Sequence, residues 1–202
     1  MTITNEDNME LMARYEDNYF DLAIVDPPYR NSKENDMMNQ TRKNIKMGRL
    51  KDWQDKPNKE YFKELFRISK NQIIWGANNF NLIFKGFFVW DKNIAFDMKF
   101  SMCEIAYISE QLGTTSKLWK FRSAWAEKRI HPTQKPVKLY EKLLMTYAKK
   151  GDKILDTHLG SGSIAIACHN LGYDLTACEL DREYFDSAMK RLREHKQQIR
   201  MF

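Results

Sequence analysis

The chain has no apolar run long enough to cross a bilayer, so a membrane-spanning role is not expected. Its first ten residues, MTITNEDNME, are polar and partly acidic, unlike the start of a secretory signal peptide. Cysteine is scarce: Cys103, Cys168 and Cys178 show no metal-type spacing. An odd count without a secretory signal fits reduced thiols in a cytoplasmic protein, serving as small core residues. No internal repeat, low-complexity tract or flexible linker is visible, and 202 residues suffice for one domain, 1–202, with its own core.

What the chain does have is positive charge. The formal net charge is +6 and the sequence pI about 9.1, which mildly favours a polyanionic partner. The charge is clustered. Arg42, Lys43, Lys46, Arg49 and Lys51 lie in a polar background. Lys117, Lys120, Arg122, Lys128 and Arg129 are interleaved with Trp119, Phe121 and Trp125. Basic groups neutralise phosphates and aromatic faces stack on unpaired bases. The bland alternatives are a solvated face for the first cluster and core aromatics for the second.

Short apolar runs read as buried strands at 22–25, 73–75, 87–90, 105–108, 154–155 and 175–178. Helical patterns lie between several of them, with Phe62, Leu65 and Phe66 on one face, then Tyr140, Leu143, Leu144 and Tyr147, then Phe185, Ala188, Met189 and Leu192. This alternation implies an α/β fold with a mostly parallel sheet covered on both faces. The runs at 87–90 and 105–108 have no helix between them and are expected to pair antiparallel at one edge. The polar stretch from Arg30 to Asn58 lacks periodicity and is long for a connection. It is expected to be a mobile loop, ordering as a lid when a polyanion binds.

Lys153-Ile154-Leu155-Asp156 reads as a strand, Thr157 to Ser163 as a tight glycine loop, and Ile164 onward as a helix. Glycines let backbone approach a ligand, and a helix start offers unpaired N–H donors. About 20 residues past Gly160, after the strand 175–178, stands Glu179, where a carboxylate accepts hydrogen bonds from ribose hydroxyls. Gly160, Gly162 and Ala165 also fit a relaxed dinucleotide fingerprint, so the loop by itself admits NAD as well. Asp181 is read as the cap of the next helix rather than a ligand contact.

The strand at 22–25 runs into Asp26-Pro27-Pro28-Tyr29. Prolines cannot donate to a ladder, so the sheet must end here, at the carboxyl edge where open α/β folds bind ligands. An acid, two prolines and an aromatic suit one task. The exocyclic amine of adenine or cytosine is a poor nucleophile because its lone pair is delocalised into the ring. Two acceptors, the Asp26 carboxylate and the Pro27 carbonyl, can hold its hydrogens, and Tyr29 can stack on the base. A sulfonium methyl donor is already activated, so positioning and electrostatics suffice and no metal is needed. A base in duplex must be flipped out to reach such a pocket. No Pro-Cys pair occurs, which argues against carbon-5 cytosine methylation and its thiolate nucleophile.

With these motifs the chain resembles, over nearly its whole length, the amino-directed DNA methyltransferases of the permuted "beta" arrangement, in which the catalytic motif precedes the cofactor motif. Asp26 to Tyr29 matches the family's Asp-Pro-Pro-Tyr. His131-Pro132-Thr133-Gln134-Lys135-Pro136 matches a block before the helix packed beside the cofactor. Asp156 to Ser163 matches the glycine loop and Glu179 the ribose-binding acid. Asp7 sits where the family places an acid near the cofactor's adenine.

The resemblance implies a Rossmann-like methyltransferase fold with a seven-stranded sheet, S-adenosylmethionine as cofactor and double-stranded DNA as partner. Asp26, Pro27, Pro28 and Tyr29 are then catalytic. Asp7, His131, Thr133, Gln134, Lys135, Asp156, His158, Gly160, Gly162, Ser163 and Glu179 bind the cofactor. Thr157-His158 stands where the family usually has Pro-Phe, so an imidazole would pack in place of an aromatic ring. The stretch before His131 is short for a target-recognition region, and recognition is assigned to 111–130 together with the 30–58 loop. Residues 131–202 form the cofactor-binding half. Members are often dimers, so a homodimer is admitted, although nothing in the sequence marks an interface. An Asp opening the motif favours adenine N6 over cytosine N4. The rivals are an N4-cytosine enzyme, an RNA methyltransferase and a non-catalytic DNA-binding subunit. A NAD-dependent oxidoreductase would leave Asp26–Tyr29 and His131–Pro136 unexplained.

Overall fold

The computed structural model describes residues 1–28, 56–83, 85–94, 101–122, 130–131 and 133–198. Tyr29, most of the 30–58 loop, Trp125, Lys128, Arg129 and Pro132 therefore lie outside the described residues.

Leu22–Val25 forms β2, and all four of its side chains are buried. Leu22 and Ile24 enter one apolar cluster and Ala23 and Val25 the other, because successive strand residues point to opposite faces. A strand buried on both faces has to be central. β2 is central: it pairs in parallel with β3 (Gln72–Trp75) on one side and β7 (Lys153–Asp156) on the other. Around them run β1 (Thr2–Thr4), β4 (Gly86–Asp91), β5 (Cys103–Ile108), β6 (Lys117–Lys120) and β8 (Asp174–Cys178). The eight-stranded sheet has the order β1-β8-β7-β2-β3-β5-β4-β6.

Among the described residues, five α-helices cover it. The segments α1 (Asn8–Met12) and α2 (Lys59–Ile68) contribute Leu11, Met12, Tyr61, Leu65 and Ile68 to one cluster. The other face carries α3 (Val137–Tyr147), α4 (Ser163–Leu171) and α5 (Arg182–Gln197). Asn58 caps α2 by accepting from the Tyr61 N–H at 3.0 Å. Asp181 caps α5 by accepting from Glu183 and Tyr184, the role read for it from the sequence. On α2, Leu65 is buried but Phe66 is 37% exposed, so the expected apolar face is narrower than the sequence pattern. Among the described residues no helix is long and apolar enough to cross a membrane.

The α/β class and mostly parallel sheet are as expected, with two differences. The sheet has eight strands rather than seven, because the mostly polar Thr2–Thr4 pairs with β8 and Lys117–Lys120 pairs with β4. The antiparallel pair is not at the edge: β5 inserts between β3 and β4, antiparallel to both, and β6 lies outside β4. Trp119 and Phe121 stack on each other, centroids 4.8 Å apart, and pack against the core. For these two rings the core alternative holds, while Lys117 and Lys120 face solvent.

From β7 the chain proceeds to β8 on one side; from β2 it proceeds to β3 on the other. The strand order thus reverses between β7 and β2. In open α/β sheets the crevice outside such a switch point is the ligand site. Asp26 leaves the end of β2 there, and the loop from Thr157 leaves the end of β7 beside it.

Candidate active site

Asp26 follows directly on β2, with Pro27 buried behind it. Its Oδ2 accepts a hydrogen bond from Lys135 Nζ at 2.5 Å, while Oδ1 is buried and has no partner among the described residues. The Lys135 side chain is only 3% exposed and also meets Glu104 Oε2 at 3.1 Å. Glu104 Oε1 in turn meets Lys92 Nζ at 2.7 Å. Four charges therefore alternate in sign from Lys92 through Glu104 and Lys135 to Asp26. Both ammonium groups lie over indole rings, Lys135 over Trp75 at 5.1 Å and Lys92 over Trp90 at 5.5 Å. Burial pushes the Asp26 carboxyl up against the pull of Lys135. Burial also acts to raise Glu104, but Lys135 and Lys92 outweigh it and hold that carboxyl below its usual value.

In the glycine loop, Asp156 ends β7 buried, its Oδ1 accepting from the His158 N–H at 3.0 Å. Gly160 has φ +53 and Gly162 φ +72, backbone that favours glycine. A Cβ on Gly162 would stand 3.1 Å from the Ala188 Cβ, so this glycine also lets α5 pack close. Glu179, half-buried after β8, accepts from the Gly160 N–H at 2.8 Å and the Asp181 N–H at 3.0 Å. It thereby fixes the loop while keeping lone pairs for a further donor. Burial raises its pKa. The Ser163 hydroxyl is turned away toward α5, accepting from Arg191 Nη1 at 2.9 Å.

His158 is held at both ring nitrogens. Asn8 Nδ2 donates to Nε2 at 3.1 Å, which places the proton on Nδ1, and Nδ1 donates to Thr157 Oγ1 at 2.9 Å. Thr157 Oγ1 bonds to the Tyr61 hydroxyl at 2.7 Å, and the Tyr61 ring meets the imidazole edge to face. Burial lowers the His158 pKa to about 3, so the ring is neutral. Asp7 caps α1, accepting from the Met9 N–H at 2.7 Å, and its neighbour Asn8 is the residue that reaches the loop.

The described residues of the 131–136 block approach both the glycine loop and Asp26. The His131 ring would be 3.9 Å from a Cβ on Gly160, and it packs on Tyr184 at 4.5 Å. Burial and then the Lys135 charge lower its pKa to about 4. Thr133 Oγ1 bonds to His131 Nδ1 at 3.2 Å. Gln134 Oε1 accepts from the Ile130 N–H at 3.1 Å. These contacts brace the block, and Lys135 projects from it to Asp26.

The structure thus gathers Asp26, Lys135, His131, Asp156, His158, Gly160 and Glu179 around one crevice. It turns the Ser163 hydroxyl elsewhere and uses Asp7 as a cap. Glu104, Asn8 and Tyr61 escaped sequence reasoning, and Lys92 and Thr157 were given no role by it. Glu104 had a signal: it shares strand parity with buried Ala106 and Ile108, and an acid on an apolar face needs a partner. Asn8 and Tyr61 carried none, since their partners are distant in sequence.

Asp156 yields a pH prediction. Burial chiefly, with the Asp26 and Glu179 charges, raises its pKa to about 8, against about 3.9 when unfolded. Below pH ~4 the group is protonated in both states and costs nothing. As pH rises toward 8 only the unfolded state ionises, and stability is lost. Asp156→Asn keeps an acceptor for the His158 N–H and removes this loss. Thermal melts of the ligand-free protein should show the variant gaining on wild type between pH 4 and 8, by on the order of 10 °C at the upper end. Parallel melting curves across that range would refute the raised pKa.

Comparison with known proteins identifies the family and the fold. Residues 66–190 match the model of the DNA methylase family (N6/N4 methyltransferases). The type II methyltransferase M2.DpnII of Streptococcus pneumoniae is 40% identical over 78 residues, 39% of this chain and 28% of that protein. The chain spans little more than a quarter of the length of the curated relatives it matches. Among solved structures, M1.HpyAVI in complex with SAM superposes with TM-score 0.63 at 21% identity, covering 95% of this chain and 98% of that one. The cytosine-N4-specific PvuII DNA methyltransferase superposes with TM-score 0.65 at 11% identity, covering 99% and 87%. At such identities the superpositions establish the fold.

Proposed function

The chain belongs to the family of N6/N4 DNA methylases, and from that premise we propose that it transfers a methyl group from S-adenosylmethionine to the N6 amine of adenine in double-stranded DNA. The carrying observation is the buried Asp26 Oδ1 at the switch point, which has no partner among the described residues, beside an Oδ2 already held by Lys135. A buried carboxylate oxygen without a donor is costly, and an amine N–H satisfies it.

The crevice fits the cofactor. Glu179 suits ribose hydroxyls, Gly160 and Gly162 bring backbone close, and His131 and the neutral His158 offer ring faces. The carboxylates of Asp26 and Glu179 would supply negative charge that favours a sulfonium cation. When bound, the cofactor supplies an electrophilic methyl group. Lys135 fixes the carboxylate, Asp26 Oδ1 accepts one amine hydrogen and favours a pyramidal nitrogen, and the Pro27 carbonyl is assigned the second hydrogen. As the nitrogen gains the methyl group it loses a proton, which Asp26 can take. Catalysis rests on positioning and on charge prepared before the reaction. Adenine is preferred because Asp opens the motif. Such an enzyme acts in the cytoplasm, where its DNA lies.

The test has two arms. Titration calorimetry should show saturable S-adenosylmethionine binding and none for NAD. Labelled methyl groups should pass to unmethylated duplex DNA and not to RNA. Binding of NAD would restore the oxidoreductase reading, and transfer to RNA would replace the substrate.

A further inference from the structure

The chain of charges behind Asp26 is longer than amine activation requires. One lysine would suffice to hold Oδ2. Here Lys135 is itself held by Glu104, and Glu104 by Lys92. The groups come from three places: Lys92 follows β4, Glu104 lies on β5, and Lys135 precedes α3. The β4–β5 register, with Trp90 opposite Glu104, places the first two side by side. Buried charges cost stability unless paired, and an apolar replacement is often at least as stable. Stability alone therefore gives little reason for two ion pairs in series, joined through the buried Lys135, at the reacting carboxylate.

We propose that Glu104 is a positioning residue for methyl transfer: anchored by Lys92, it holds the Lys135 ammonium at Asp26 Oδ2 and so aims Oδ1 at the substrate amine. This rests on the function proposed above. Lys135 carries three donors on a flexible stem. With one carboxylate to serve it can swing, and Asp26 swings with it. Between two carboxylates and over the Trp75 ring it is fixed. The alternation also sets the charge at Asp26. The titratable and charged groups that act on it or lie near it are Lys135, Glu104, Lys92, Asp156 at the end of β7, Tyr140 on α3 and Tyr61 on α2. Glu104 raises the Asp26 pKa and Lys92 lowers it.

Two variants separate positioning from a structural role. Glu104→Gln should lower kcat about 10-fold to 100-fold, as expected for a misaimed catalytic group. Its S-adenosylmethionine Kd should stay within about twofold, and the acid limb of its kcat–pH profile should move to lower pH. Lys92→Met should also lower kcat but move that limb to higher pH. A purely structural role would lower melting temperature in both without shifting the limbs in opposite directions. Unchanged kcat and unchanged limbs in both variants, with an active wild type, would overturn the inference and leave the proposed function standing. Should the wild type transfer no methyl group, the proposed function fails. The coupling is then read by 13C NMR titration of the Asp26 carboxyl, where equal pKa values in wild type and both variants would overturn it.

Discussion

Asp26→Asn is expected to lower methyl transfer about 10³-fold, a loss of about 4 kcal/mol of transition-state stabilisation, while S-adenosylmethionine binding changes little. The substitution is isosteric, so the reason lies in hydrogen-bond polarity. Lys135 Nζ, 2.5 Å from Oδ2, is a cation with donors only. An Asn side chain must turn its carbonyl oxygen toward that ammonium. Its NH2 then takes the place of Oδ1, the buried oxygen with no partner among the described residues. A substrate amine whose hydrogens need acceptors meets two more donors. Asn is therefore expected to be as damaging as Ala. Single-turnover transfer and calorimetric cofactor binding check this, and an Asn variant with more than a tenth of wild-type activity would refute the arrangement.

Lys135→Met is expected to have the largest effect on stability. It leaves Asp26 and Glu104 as neighbouring like charges in a crevice, Glu104 keeping Lys92. Removing one partner of a buried pair costs about 3–5 kcal/mol, which for a chain of this size lowers Tm by on the order of 10 °C. The pH dependence identifies the cause. Without the ammonium, the Asp26 carboxyl is pushed up further in the folded state. Stability is then kept at acid pH, where the carboxyl is protonated in both states, and lost as pH rises from about 4. The gap between variant and wild type should be wide at pH 7 and narrow toward pH 4. A gap independent of pH would mean that lost packing of the lysine stem, rather than lost charge, is responsible.

These outcomes rest on parts of the molecule that were unequally legible in the sequence. β2 could be read because Leu22–Val25 is an unbroken apolar run stopped by Pro27 and Pro28, and a strand buried on both faces has that pattern. β1 could not, because Thr2-Ile3-Thr4 is short, mostly polar and paired on one side only. β6 was obscured by its charges: Lys117 and Lys120 face water at the sheet edge, while Trp119 turns inward. The motif residues were readable because glycine, proline and acid types at fixed spacing carry their own chemistry. Their partners were not. Lys135 reaches Asp26 across 109 residues, and Asn8 reaches His158 across 150. Such pairings are set by strand order, which no local pattern contains. The half-buried position of Glu104 follows from β5 inserting between β3 and β4, where the sequence suggested an edge hairpin.

The most direct test of the central claim is the identity of the methylated nucleoside. Duplex DNA incubated with the protein and labelled S-adenosylmethionine would be digested and resolved by liquid chromatography and mass spectrometry. The expected result is label in N6-methyldeoxyadenosine from the wild-type protein and almost none from Asp26→Asn. Label in N4-methylcytosine would keep the mechanism and change the base. Label in 5-methylcytosine, or equal labelling by the Asp26→Asn variant, would contradict the role assigned to Asp26.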